Sequence, residues 1–319
     1  MGYYGFVEPD NKIIAYAPNT ILIQEEKAEA ATIKPGMVVM KGTNDDDVVV
    51  CDGVTKAPFG VAGYEQSFLG AASSTSNRPA NVDTAYAKDA RVPVLGGGGF
   101  VAMMHLAPGV GTVKGDLLAS WGDGTVVPVV PMPGGYGVRI PFAKNTSETD
   151  TGVDLPEGII VSDVIVEVTN KVLSATIDVG LLSTENDNNG DVDGFLVAED
   201  CGTANGFVKH NTVTTAGAGA APLTLGDYFK EADIKDSTAG DGAQTYRVPN
   251  YHVVGGGQVS VSYKTSNSEK LAGNIYVVCA APGFQIVGRA EETLAPDTAT
   301  DENENTVFVS QDVMARVYI

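Results

Sequence analysis

The sequence has few of the residues on which most protein chemistry depends. The 319 residues contain only three cysteines and three histidines. Cys51, Cys201 and Cys279 are far apart and form no C-x-x-C pair, so the sequence suggests neither a disulfide framework nor a zinc site. We expect three buried thiols in a protein that is made in a reducing cytoplasm.

The histidines are equally isolated. His105 and His252 lie in apolar, strand-like stretches, and neither they nor His210 have a second His or Cys at ligand spacing. The nucleophile elbow of serine hydrolases, the H-E-x-x-H zinc motif and the Walker A loop are also missing. The sequence therefore predicts a protein that is not an enzyme, whose histidines complete hydrogen bonds of the core.

Positive charge is scarce as well. Asp and Glu number 40 against 20 Lys and Arg, which gives a formal net charge of −20. This charge argues against binding to a phosphate backbone or to anionic lipid. No apolar run approaches the ~20 residues of a membrane-spanning helix, and the first residues do not resemble a signal peptide. We expect no direct contact with nucleic acid or membrane.

Glycine and proline, in contrast, are plentiful, with 38 and 16 residues. They separate short β-rich or alternating segments, for example 48–50 and 258–263. The best candidate for a helix is short, at 223–234. The expected fold class is therefore mainly β.

One order of motifs occurs twice: a Gly-led strand, a D-G turn, a G-x-A strand and a final A-R-V strand. The first copy occupies residues 34–39, 52–53, 60–65 and 89–94. The second copy occupies residues 113–118, 123–126, 287–292 and 313–319.

A long block interrupts the second copy. About 160 residues separate its D-G turn from its G-x-A strand, and a structureless loop of that length is untenable in a compact domain. Turn residues border the block at 131–135 and 282–283. We predict a discontinuous β domain, 1–136 plus 284–319, that hosts an inserted β-sandwich at 137–283. The alternative is a string of three domains whose similar strands arose by chance.

An acidic segment has the spacing of a calcium-binding loop. Asn189, Asp191 and Asp193 supply oxygen atoms at alternate positions, a glycine follows, and Asp200 stands at the twelfth position. The preceding residues, 175–182, alternate like a strand rather than a helix. These residues make calcium a candidate ligand, and a solvated Asn/Asp/Gly hairpin is the alternative that we favour.

Two segments carry a family resemblance. Residues 33–65, with Gly36-Met37-Val38-Val39 and Ala57-Pro58-Phe59-Gly60-Val61-Ala62, resemble the small β-barrel-like decoration (cement) proteins of tailed-virus capsids. Residues 288–294 and 315–319 are similar to the end of that family. The predicted insert resembles jelly-roll-like β-sandwich modules of tailed-virus head proteins. The segments that carry this second resemblance are 155–164, 175–181, 191–196 and 274–278.

The resemblance implies a structural protein of the virion. Such a protein is made in the host cytoplasm, binds the major capsid protein on the outside of the finished lattice, and stabilises the head, often as a trimer. It has no catalytic residues and needs no cofactor. The net charge of −20 fits this role, because it keeps free copies apart and away from packaged DNA.

The aromatic-rich start of the chain is the candidate capsid contact. Tyr3, Tyr4 and Phe6 precede the first clear strand. Aromatic side chains are efficient interface anchors, and an extended arm can add a strand to the edge of a partner's sheet. The alternative is an N-terminal strand that packs on its own domain.

A second function is a receptor- or carbohydrate-binding module on the virion surface. The inserted sandwich would then carry aromatic side chains on one face. The candidates are Tyr228, Phe229, Tyr246, Tyr251 and Tyr263, which would otherwise belong to the core. A hydrolase on a β-scaffold is disfavoured by the scarcity of histidine.

Overall fold

The structure, a computed structural model, is mainly β, as the sequence predicts. One 3-10 turn, Gly122–Gly124, is the only helical element of the described residues, so no described helix is long and apolar enough to cross a membrane. The helix predicted at 223–234 lies outside the described residues except for Ile234, which begins a strand. The residues described are 14–16, 21–64, 83–132, 135–170, 175–182, 190–201, 207–209, 234–235, 245–246, 252–255, 258–266, 271–300 and 306–319.

The chain forms two compact units. Unit 1 consists of Met1–Val129 and Ala281–Ile319, and unit 2 consists of Val130–Ala280. The boundaries therefore lie at 129/130 and 280/281, where the sequence placed them at 136/137 and 283/284. Unit 1 is discontinuous in sequence, and unit 2 is a single stretch.

The strands of unit 1 are β1 to β9, the last of which runs on into unit 2, and β21 to β24. They are β1 (Ile14–Tyr16), β2 (Leu22–Ala28), β3 (Val38–Lys41), β4 (Asp47–Val50), β5 (Gly60–Ala62), β6 (Arg91–Gly96), β7 (Val101–Leu106), β8 (Leu117–Ser120), β9 (Val126–Met132), β21 (Ile286–Ala290), β22 (Asp297–Thr300), β23 (Thr306–Val309) and β24 (Gln311–Val317).

Five of these strands close a first barrel. β2 is parallel to β4, and the pairs β4–β3, β3–β5, β5–β6 and β6–β2 are antiparallel. Small and branched apolar side chains fill its interior, and the Tyr86 hydroxyl, also buried, donates a hydrogen bond to the Gly63 carbonyl over 2.8 Å. The core residues are Ala28, Ile33, Val39, Val48, Ala62, Tyr86, Ala90, Val92 and Val94.

Five other strands of unit 1 repeat this arrangement as a second barrel. β7 is parallel to β9, and the pairs β9–β8, β8–β21, β21–β24 and β24–β7 are antiparallel. In chain order, β7, β8, β9, β21 and β24 therefore correspond to β2, β3, β4, β5 and β6. The strand pairing confirms the three strands of the predicted repeat. The predicted equivalence of the two D-G turns is wrong, because Asp52-Gly53 follows β4, whereas Asp123-Gly124 precedes β9, the strand that corresponds to β4.

The repeat extends to single hydrogen bonds. Gly36 donates its backbone N–H to the Ala62 carbonyl over 2.7 Å, and Gly115 donates to the Ala290 carbonyl over 2.9 Å. Both glycines have a positive φ, 89° and 99°, which a residue without a Cβ adopts at no steric cost. The Gly-led motif is thus a turn that is tied to the G-x-A strand of the same barrel.

The strands of unit 2 are β10 to β20. They are β10 (Gly135–Ala143), β11 (Thr149–Leu155), β12 (Ile160–Asn170), β13 (Thr176–Leu181), β14 (Asp191–Asp200), β15 (Phe207–Lys209), β16 (Ile234–Lys235), β17 (Thr245–Tyr246), β18 (His252–Val253), β19 (Val259–Thr265) and β20 (Ala272–Ala280).

Two antiparallel sheets make up most of unit 2. One has the order β10-β20-β12-β15, with β18 also paired to β12, and the other has the order β11-β19-β13-β14. Aromatic rings from the two sheets meet edge to face: Phe142 with Tyr263, and Phe195 with His252, each pair at 5.8 Å between centroids. The sheets therefore pack face to face over an apolar core, as in a β-sandwich.

Candidate functional site

The predicted arm and part of the predicted calcium loop lie outside the described residues. This applies to Tyr3, Tyr4 and Phe6, and also to Asn189. The structure does place the three aspartates of the calcium loop, all on strand β14. Their positions can be compared with what a calcium ion requires.

The strand separates two of these aspartates. Asp191 and Asp200 are the first and last residues of β14, and they pair with Leu181 and Thr176 at opposite ends of β13. Leu181 and Thr176 are five residues apart, and register shifts in β14 take up its extra residues. At a rise of about 3.3 Å per residue, the two aspartates are therefore roughly 17 Å apart. Calcium ligands lie within about 2.6 Å of the ion. One ion does not reach both carboxylates, and the antiparallel β13–β14 pair has the arrangement of a hairpin.

Asp193 takes part in a local polar arrangement instead. Its N–H donates to Oδ1 of Asp191 over 3.4 Å, and its charge acts on half-buried Asp178. Burial raises the pKa of Asp178, the N–H of Ala198 at 2.6 Å opposes this, and Asp193 reinforces it. In the part of the chain that the structure describes, no group of three or more His, Cys, Asp or Glu is placed to hold a metal ion.

The three cysteines are buried, as predicted, and form no disulfide. Burial raises the pKa of Cys51 to about 11 and raises the pKa of Cys279 as well. Since the thiolate is the reactive form, burial disfavours reaction of these two thiols at neutral pH. Both side chains are buried among the apolar residues of the core.

His105 connects the two barrels of unit 1. It lies on β7, its Nε2 is 2.9 Å from the carbonyl oxygen of Pro35 in the first barrel, and its Nδ1 is 2.9 Å from Oδ1 of Asp312 on β24. A carbonyl oxygen and an ionised carboxylate only accept hydrogen bonds, so this geometry favours a ring in which both nitrogens donate, which is the protonated form. Burial opposes the charged ring, but the hydrogen bond and charge of Asp312, aided by Pro35, outweigh burial and raise the pKa of His105.

A cleft of about 420 Å³ opens beside this histidine. Its charged lining residues are mostly acidic: Asp83, Asp123 and Asp312 accompany Lys34 and His105. The cleft therefore has an acidic wall, against which a protonated His105 is favoured.

The hydroxyls in the cleft are committed to the backbone. Thr125 donates to the Gly122 carbonyl and Ser310 donates to the Leu106 carbonyl, each over 2.6 Å. His105 uses both of its ring nitrogens in the contacts above. Among the described lining residues, the hydrogen bonds of these two hydroxyls therefore go to carbonyl oxygens and not to a base.

Sequence reasoning missed an exposed apolar end of strand β2. Leu22 and Ile23 are consecutive, yet they are 54% and 56% exposed. Neighbouring side chains of a strand point to opposite faces, so both faces of the strand are exposed here. The available signal was the polar pair Gln24-Glu25, which breaks the apolar alternation directly after these residues.

Comparison of the chain with known protein families, with curated proteins and with solved structures gives no match. The function therefore has to be inferred from the tandem barrels of unit 1, the sandwich of unit 2 and the exposed end of β2.

Proposed function

We propose that the protein is a structural virion protein that binds the outer surface of a capsid lattice and stabilises the head. The tandem barrel of unit 1 is the observation that carries this proposal. Of the segments that resemble decoration proteins, residues 33–65 supply β3, β4 and β5 of the first barrel, and residues 288–294 and 315–319 supply parts of β21 and β24 of the second. The two barrels share one topology. A chain that presents related surfaces twice gains affinity on a repeating lattice through multivalency.

The charge of the protein supports an outward position. With a net charge of −20, a copy inside the shell would be repelled by packaged DNA. On the outside, the same charge keeps unbound copies apart. The proposed role is not catalytic, and the proposed partner is the major capsid protein, with the decoration protein acting as a trimer.

The predicted arm remains part of the proposal. Tyr3, Tyr4 and Phe6 would dock on the capsid protein, with backbone pairing for affinity and aromatic side chains in pockets. Each buried aromatic contributes on the order of 2 kcal/mol, so removing residues 1–8 should weaken attachment by orders of magnitude. The fold should persist in that variant, because the arm precedes β1.

The strand pairing of unit 2 supports the finer fold proposal, a jelly roll. Numbered along the chain, its eight longer sandwich strands pair first with eighth (β10–β20), second with seventh (β11–β19), third with sixth (β12–β15) and fourth with fifth (β13–β14). This is the pairing of one long antiparallel ribbon that is wound into two sheets. Jelly rolls occur in both capsid and lectin domains.

The same pairing favours the second candidate function, a carbohydrate- or receptor-binding module. Only the likeness of fold supports this second function. That support is weaker than a site would give, because function resides in a site rather than in a fold. Tyr263 does not serve such a site, because it is 7% exposed and packs on Phe142. Tyr228, Phe229 and Tyr251 lie outside the described residues, and Tyr246 lies on β17.

Sedimentation with heads tests the proposal. The full chain is added to heads that lack it, and its occupancy and the temperature of head disruption are measured. We expect saturable binding at a fixed ratio to the capsid protein and a higher disruption temperature. A variant without residues 1–8 should stay folded and lose occupancy. If the folded full chain does not bind heads but binds a glycan array, the result would contradict lattice binding and favour the second function.

A further inference from the structure

We propose that the free edge of strand β2, at residues 22–25, accepts an extended segment of a partner protein as an added β-strand. The inference comes from comparing equivalent edges of the two barrels, and it does not depend on the lattice function. It concerns an acceptor edge in the first barrel, and so differs from the predicted arm, which is a donor.

The register of the barrels defines which residues are equivalent. The parallel pair Ala28–Val48 of the first barrel corresponds to Leu106–Val126 of the second. Counting back along β2 and β7 from these pairs makes residues 22, 23 and 24 equivalent to residues 100, 101 and 102.

A second set of pairs gives the same alignment. The G-x-A strands pair Ala62 with Val94 and Ala290 with Ala315. Val94 in turn pairs with Gln24, and Ala315 pairs with Ala102. Both routes around the barrels therefore place Gln24 where the second barrel has Ala102.

The second barrel has a strand on this edge. β1 runs antiparallel to β7, with Ile14 opposite Ala102 and Tyr16 opposite Val101. Val101 is only 7% exposed, and Phe100 before it is 1% exposed. The edge is therefore paired and its apolar side chains are covered.

The first barrel leaves the corresponding edge open. Within the described residues, β4 joins β2 only at Lys27 and Ala28, and residues 22–25 pair with β6 alone. The side chains equivalent to buried Phe100 and Val101 are Leu22 and Ile23, which are both more than half exposed. An unpaired strand edge with exposed apolar side chains is a template for strand addition.

The chemistry of the edge indicates the occupant. Among the described residues, the segment that fills the equivalent edge, Ile14–Tyr16, already pairs with β7, and we assign the added strand to another molecule. A second copy is disfavoured, because each copy carries a net charge of −20 and Glu25 is exposed at the edge. The fitting partner segment is extended, has apolar side chains at alternate positions, and carries a Lys or Arg that faces Glu25.

The chain itself supplies the probe. A peptide with the sequence of residues 11–17, Asn-Lys-Ile-Ile-Ala-Tyr-Ala, contains the segment that fills the equivalent edge and adds a positive charge. It is titrated into the full-length protein while backbone amide signals are followed by NMR. We expect shifts that concentrate at residues 22–25, and saturation below about 1 mM.

Two controls separate strand addition from non-specific adhesion. The Ile23→Lys variant should weaken peptide binding at least about tenfold, whereas Val113→Lys, at a residue of similar exposure (49%) in the second barrel, should change it less than about twofold. Both positions are exposed, so both variants should keep their melting temperature. A peptide N-methylated at alternate residues keeps its side chains, loses strand hydrogen bonds, and should not bind.

Several results would overturn the proposal. These are no shift at residues 22–25 at about 1 mM peptide, equal binding of the N-methylated peptide, or shifts confined to residues 101–102, which would mean exchange with β1. Self-association of the protein that Ile23→Lys abolishes would assign the edge to a second copy instead.

Discussion

The two barrels of unit 1 have one topology but differ in how the chain supplies their strands. The first barrel is built in one pass, from Leu22 to Gly96, whereas unit 2 interrupts the second between β9 and β21. β9 and β21 both pair with β8 and not with each other. The chain therefore leaves and returns without breaking a hydrogen-bonded ladder. The second barrel therefore tolerates the interruption, because β8 holds both β9 and β21 through its own strand pairing.

Removal of β24 should produce the largest difference between the two barrels. Deleting residues 311–319 opens the edges of β7 and β21 and removes Val313, Ala315 and Val317, which are fully buried. Each buried valine contributes about 1.5 kcal/mol or more, so we expect the second barrel to unfold. Hydrogen exchange should show lost protection in β7, β8 and β21, and the first barrel serves as the internal control. Protection unchanged in β7 would contradict the pairing.

The equivalent glycines Gly60 and Gly288 should respond alike. A Cβ at either position would meet a backbone carbonyl of the neighbouring strand, Leu95 O at 2.8 Å or Arg316 O at 2.7 Å. We expect Gly60→Ala and Gly288→Ala each to lower the free energy of unfolding by about 1–3 kcal/mol in urea titrations. Gly255→Ala, where a Cβ meets no atom within 4 Å, is the matched control. A neutral Gly288→Ala would show that the two strands are not equivalent.

A smaller difference between the barrels concerns how their stability depends on pH. The pair His105–Asp312 occupies the place that Lys27–Arg91 has in the first barrel. Because the folded-state pKa of His105 is raised, its contribution is complete below its ordinary value of about 6.5 and is lost as pH rises through the folded pKa. Asp312→Asn should therefore cost about 1 kcal/mol at pH 6 and close to nothing at pH 9.

Thermal unfolding at a series of pH values measures this difference. His252 supplies the contrast, because burial lowers its pKa, so it destabilises the fold as pH falls below its ordinary range. The variant Asp312→Asn should leave that acid-side loss unchanged. An equal loss of stability at pH 6 and pH 9 would mean that the Asp312 contact does not depend on a charged ring.

The repeat could be predicted from sequence because its marker residues have local steric roles. Gly36 and Gly115 hold turns at positive φ, and Gly60 and Gly288 allow close approach of strands. The unit boundaries were predicted a few residues late, because the turn signals at 131–135 mark the connection between β9 and β10. The chain has already entered unit 2 within β9.

The candidate sites were harder to predict because they depend on long-range pairing. Leu22 and Ile23 have the composition of a core strand, and only the missing partner along β2 makes them an open edge. His105 was expected to complete core hydrogen bonds, but its carboxylate partner, Asp312, is far along the chain. The acidic spacing of 189–200 suggested a loop, whereas residues 191–200 form a strand whose pairing with β13 overrides the local pattern.

The most direct test of lattice binding by the tandem barrels removes the interruption. Val50 and Gly60 of the first barrel correspond to Pro128 and Gly288 of the second, so residues 129–287 can be replaced by a copy of residues 51–59. The shortened chain should fold, because the cost of a connection depends on its ends far more than on its length. Added to heads that lack the protein, it should reach the occupancy of the full chain. A folded shortened chain that leaves the heads bare would contradict the claim that unit 1 binds the lattice.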